Sequence, residues 1–121
     1  MNTQELINLI QTNPTEVEFD QVIAVIEQEY DYTPTQFYNG SGDNEVVNAA
    51  GTNEGSCKIF AFADINDLNE SQTLSCFGKY YRQDVLLNLG GSDHANIRNF
   101  MKHGWEGIHF DGPPLARKQP G

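Results

Sequence analysis

Two cysteines, Cys57 and Cys76, and three histidines, His94, His103 and His109, are the residues of this chain whose types could carry nucleophilic or metal chemistry. A cysteine nucleophile needs a histidine in hydrogen-bond reach and surroundings that favour the thiolate. Both cysteines have apolar neighbours instead, which reads as small buried hydrophobes with free, reduced thiols. A metal site needs ligands at a defining spacing, such as HExxH or a CxxC knuckle, and no such pair occurs. Neither a metal nor a cofactor is therefore expected. His94 reads as a polar or capping residue near a helix start, and His109 as a strand residue.

Arg82 and Arg98, with Lys79 and Lys102, hold four of the seven basic groups. Arginine in an aromatic setting suits bidentate recognition of carboxylate or phosphate. It equally suits a structural ion pair that ties helices together, and Glu54 or Asp84 could answer it. Asn53-Glu54-Gly55-Ser56 resembles a phosphate loop opening a helix. One glycine is a weak signal, and Glu54 would repel a phosphate. The structural alternative is that Asn53 or Ser56 caps the helix while Glu54 pairs with Arg82 or Arg98. Trp105, after Gly104, lines a groove or fills a core edge. The candidate ligand-binding set is Asn53, Glu54, Cys57, Arg82, His94, Arg98 and Trp105. No residue is assigned a catalytic role, and enzymatic activity stays open.

The elements that must position these groups follow from periodicity and punctuation. Residues 2–13 read as a helix, with Asn2 and Glu5 as a capping box and Pro14 as its stop. A second helix spans about 16–30, with Thr15 and Glu18 as its capping box. Residues 37–39 and 45–48 read as a hairpin around the Gly40-Ser41-Gly42-Asp43-Asn44 turn. The apolar run from Cys57 to Ala63 fits a helix over about 55–64. Asn69 and Gln72 cap the next helix, Gly78 marks a bend or end, and 80–87 resume helical structure. Ser92 or Asp93 caps a last helix that Gly104 ends, and 108–110 form a short strand. The fold class is α+β: a small antiparallel sheet, the hairpin near 36–48 plus the strand near 108–110, packed with about five helices. Residues 1–114 are expected to form one domain and 115–121 a flexible tail.

A chain of 121 residues fits one domain and can bury a core without staples. Seventeen acids against seven bases give a net charge of −10, which repels a phosphate backbone and an anionic membrane alike. Nucleic acid and membrane are therefore not expected as partners; an unknown protein or a small anionic ligand is. No apolar run approaches the length that spans a bilayer and no secretory signal is visible, so a bacterial cytoplasmic protein is expected.

The runs NEGSCKIFAFADINDL, QTLSCFGKYYRQDVL and DHANIRNFMKHGWEGIHF, with Tyr30, Pro34, Phe37 and Gly40 before them, resemble the HopJ type III effector family. The resemblance covers roughly residues 19–112. It implies a bacterial protein of effector type that is secreted through a type III system, and it carries no reaction or catalytic residue. The function expected is a non-enzymatic binding or interaction protein. The alternative is a small bacterial enzyme, or an anion- or metabolite-binding protein, using the polar cluster around Glu54, Arg82, His94 and Arg98.

Overall fold

The structure is a computed structural model and describes residues 1–118. Helix α1 is Thr3–Thr12 and α2 is Phe19–Glu29. Asn2 accepts the Glu5 amide and Glu5 accepts the Asn2 amide, so the capping box is complete. The box opening α2 is Glu18 with Gln21, one turn later in register than the Thr15–Glu18 pair. Pro14–Glu16 instead form a 3-10 turn between the helices.

Strand β1, Tyr30–Tyr32, follows α2 directly, and then β2, Phe37–Asn39, pairs antiparallel with β3, Val46–Asn48. After helices α3, Glu54–Ile65, α4, Glu70–Ser75, and α5, Ala95–His103, strand β4, Ile108–Phe110, adds to the other side of β2. The sheet order β3-β2-β4 is the expected hairpin plus one strand. The α+β class stands. A second sheet was not foreseen. Leu115–Arg117 is not the start of a tail but strand β5, pairing with β1 so that Tyr32 faces Leu115. Leu115 is buried, which gives the strand an apolar anchor. Residues 119–121 of the expected tail lie outside the described residues.

Helix α3 is the axis of the core. Cys57 and five consecutive residues, Ile59 through Ala63, are buried along it. A helix this apolar must be covered on most sides, and here only Asp64 and Ile65 at its end are exposed. The Phe60 ring meets Phe37, Phe77 and Phe100 at 5.1–6.0 Å between centroids. Trp105 stands edge-on against Phe100 and donates to the Leu68 carbonyl, so it belongs to this packing. After α4 the chain turns at Gly78, whose φ of +59° suits glycine; a Cβ there would lie 2.7 Å from the Phe19 nitrogen. Tyr80–Val85 then form a π-helical turn, with the Leu86 amide reaching back to the Tyr81 carbonyl.

Candidate functional site

Helices α3 and α5 both begin in an unusual way, and both begin at the same place. Their N-cap residues, Asn53 and His94, sit in the left-handed region at φ +49° and +52°. Non-glycine residues enter that region rarely, with Asn and His among those that do so more often. Neither side chain caps its helix. The N–H groups of a first turn have no intrahelical acceptor. Those of α3 and α5 thus receive no help from their own N-cap side chains.

The two first turns line one open cleft of about 380 Å³. Asn53, Gly55 and Ser56 come from α3, and His94, Ala95, Asn96 and Ile97 from α5. Phe19, Val46, Phe77 and Tyr80 form the rest of the wall. Two helix dipoles therefore present their positive ends to one concavity. His94 stacks at 5.2 Å on Tyr80, and its Nε2 lies 3.0 Å from Asp84 and 3.8 Å from Asp93.

What holds two like poles together is a set of four asparagines. Asn48 Oδ1 accepts from Asn53 Nδ2 at 2.7 Å and from Asn96 Nδ2 at 2.9 Å. Asn48 Nδ2 donates back to Asn96 Oδ1 at 3.1 Å. Asn39 Nδ2 donates to Asn96 twice, to the backbone carbonyl at 2.8 Å and to Oδ1 at 3.0 Å. Asn39, Asn48 and Asn96 are buried. Among the described residues Asn39 Oδ1 is buried without a partner, but the other amide atoms of the buried three are paired, and those bonds tie the helix ends together.

The other predicted site residues disperse. Glu54 pairs with no arginine among the described residues. It lies beside Tyr32 and Cys57, whose ionisation burial opposes first and Glu54 second or later. Arg82 donates to the Val17 carbonyl at 2.8 Å and to Pro14 at 3.4 Å, closing the turn between α1 and α2. Arg98 donates to Asp93 and to the Asn88 carbonyl. The expected Glu54–arginine link fails because main-chain carbonyls, with Asp93, answer both guanidinium groups. Trp105 borders a separate hollow with Ala63, Asp64, Asp67 and Leu68.

The cysteines are free and buried. Burial pushes Cys57 up to about 11 and Cys76 up to about 12, which removes the thiolate at neutral pH. Neither lines the cleft. No hydrogen bond joins Ser56 to His94 among the described residues, so the cleft holds no nucleophile–base pair. What it presents is the first turns of two helices, one imidazole and aromatic walls. Sequence reasoning found Asn53 and His94 but missed Asn39, Asn48 and Asn96, and it read Gly55 and Ser56 either as part of a phosphate-type loop or as part of a helix cap. Among the described residues no group of three or more His, Cys, Asp or Glu could hold a metal ion. No helix among them is long and apolar enough to cross a membrane.

Comparison with known proteins gives two matches and one blank. The family described as HopJ type III effector protein matches residues 3–115, nearly the whole chain. A crystal structure of a protein of unknown function designated VPA0580 is similar at 47% identity, covering 98% of this chain and 95% of that one, with a TM-score of 0.92. No curated protein matches.

Proposed function

The chain belongs to the HopJ type III effector family, and from that premise we propose that it acts by binding rather than by bond chemistry. Its cleft takes a small anionic group, a phosphate or a carboxylate. The observation that carries this reading is the convergence of two uncapped helix N-termini, held apart at fixed distance by the asparagine network, on one open concavity. Backbone N–H groups and helix dipoles there favour negative charge. The net charge of −10 works against any anion, so moderate affinity that falls with ionic strength is expected. His94 stands in the cleft wall, its Nε2 at 3.0 Å from Asp84 and 3.8 Å from Asp93, which orient the ring. Secretion through a type III system is part of the same reading and rests on the family alone.

The test is a titration of isotope-labelled protein with inorganic phosphate, read by the backbone amides of Gly55, Ser56, Ala95, Asn96 and Ile97. Saturable shifts confined to these residues are expected. Ala95→Asp places a carboxylate at the first position of α5, where the dipole tolerates it. That variant should keep or slightly raise its melting temperature and lose the shifts. Absent shifts in the native protein, or shifts unchanged in Ala95→Asp, would refute the proposal.

A further inference from the structure

A different part of the molecule points outward. Leu87 is 80% exposed and Leu89 70%, with Leu86 beside them at 39%. Every other leucine of the described chain is at least partly covered. Three exposed leucines within four residues form an apolar tip that the fold does not use.

The loop that carries them is not slack. Arg98, whose side chain is 13% exposed, reaches under it from α5. Its guanidinium donates to the Asn88 carbonyl at 2.9 Å and the Leu89 carbonyl at 3.4 Å, and also to the Asp93 carbonyl and carboxylate. Gly91 makes room for it: a Cβ there would lie 2.8 Å from Arg98 Nη2 and 2.6 Å from Asn88 Nδ2. Turn bonds from Asn88 to Val85 and from Gly91 to Asn88 complete the shape. An arginine and a glycine are thus committed to the conformation of a loop whose leucines face water. Rigid presentation of apolar side chains lowers the ordering cost of association.

The charge around the tip selects the occupant. Residues 83–93 hold two acids, Asp84 and Asp93, both about half exposed, and no Lys or Arg. An anionic lipid surface is repelled. A second copy brings the same acids against these and carries the same net charge of −10. We propose that the tip of residues 86–91 docks onto an apolar stripe flanked by basic side chains, as a basic amphipathic helix of a partner protein presents. Leu87 and Leu89 are the anchors, and Asp84, which no Lys or Arg pairs among the described residues, meets a flanking charge, while Asp93 is already paired with Arg98.

A fluorescent Leu/Lys amphipathic peptide is the probe, titrated with the full chain by anisotropy. Saturable binding that weakens with added salt is expected. The Leu87→Ser, Leu89→Ser double variant should keep its melting temperature and bind at least about tenfold more weakly. Gly91→Ala, which keeps the leucines but displaces Arg98, should weaken binding about threefold or more. The proposal is overturned if native affinity is weaker than about 1 mM, or if the serine variant binds equally. It is also overturned by equal binding of a Leu/Glu peptide of the same pattern. Sedimentation showing a dimer that the serine variant abolishes would give the tip to a second copy and overturn it as well. None of these outcomes decides the phosphate titration, which is read at the backbone amides of Gly55, Ser56, Ala95, Asn96 and Ile97.

Discussion

Replacing Asn48 by alanine tests the asparagine network at its centre. The side chain is 1% exposed, and its Oδ1 accepts from both Asn53 and Asn96. Truncation strands Asn96 Nδ2, a donor inside a residue only 6% exposed. An orphaned buried polar group costs about 1–3 kcal/mol, and a lost hydrogen bond about 1 kcal/mol net. Asn96 Oδ1 keeps its bond from Asn39, so only one atom is fully stranded. The expected loss is about 2–4 kcal/mol, read by urea unfolding. At about 4 °C per kcal/mol for a chain of this length, the melting temperature falls by roughly 8–16 °C. Asn53→Gly is the control. It removes the 2.7 Å bond and keeps the left-handed N-cap accessible, while Asn53 is exposed and water takes over its partner. That variant should cost under about 1 kcal/mol. If Asn48→Ala costs no more than Asn53→Gly, the two helix ends are not held by this network and the argument for a fixed cleft fails.

Three further outcomes are expected. Raising the pH above 9 should destabilise the protein, because Cys57 and Cys76 ionise at about 11 and 12 when folded but near 9 when unfolded. Their stabilising contribution is full below 9 and is lost as pH rises towards 11–12, at up to about 1.4 kcal/mol per pH unit per thiol; a flat melting curve in that range refutes it. On the acid side, the Thr3 backbone N–H, followed by the Thr3 side chain, holds the Glu29 carboxyl below its usual range. This contribution is present above the ordinary carboxylate range and fades as pH falls through the lowered folded value, so the melting-temperature gap between native protein and Glu29→Gln should close there. Arg82→Met should lose about 1–2 kcal/mol by removing two carbonyl bonds, and should leave phosphate titration unchanged; a binding defect would place Arg82 in the site.

Local chemistry made some of this legible and geometry hid the rest. The Asn2–Glu5 and Asn69–Gln72 boxes were readable because a cap acts over three residues. The β2–β3 hairpin was readable because glycines punctuate its turn. Strands β1 and β5 were not, since Tyr-Asp-Tyr and Leu-Ala-Arg are too short to show a period, and residues from 115 on read as a tail. The asparagines were missed because Asn39 and Asn48 each look like turn or strand-end residues. Their bonds to Asn96 span 57 and 48 positions. The arginines misled for a related reason. A guanidinium finds main-chain carbonyls at turn ends as readily as carboxylates, and sequence marks only the carboxylates.

The placement of Asn39 before Gly40 bears on how this protein ages. An Asn-Gly pair is chemically labile, because the glycine nitrogen can attack the asparagine side-chain carbonyl and expel ammonia. In the fold that nitrogen donates to the Gly107 carbonyl at 3.0 Å, and the Asn39 amide is held by Asn96 with no exposure to water. The reaction should therefore run only in molecules that have unfolded. Its product would set a carboxylate where Asn39 Nδ2 now faces two oxygens of Asn96 at 2.8 and 3.0 Å, a repulsion in place of two bonds. Such a chain could not regain this packing. Each excursion from the native state thus carries a chance of being permanent, and peptide mass spectrometry of residues 37–44 after mild heating would count those excursions; deamidation at 39 proceeding equally fast in native protein would show that the lock does not exist.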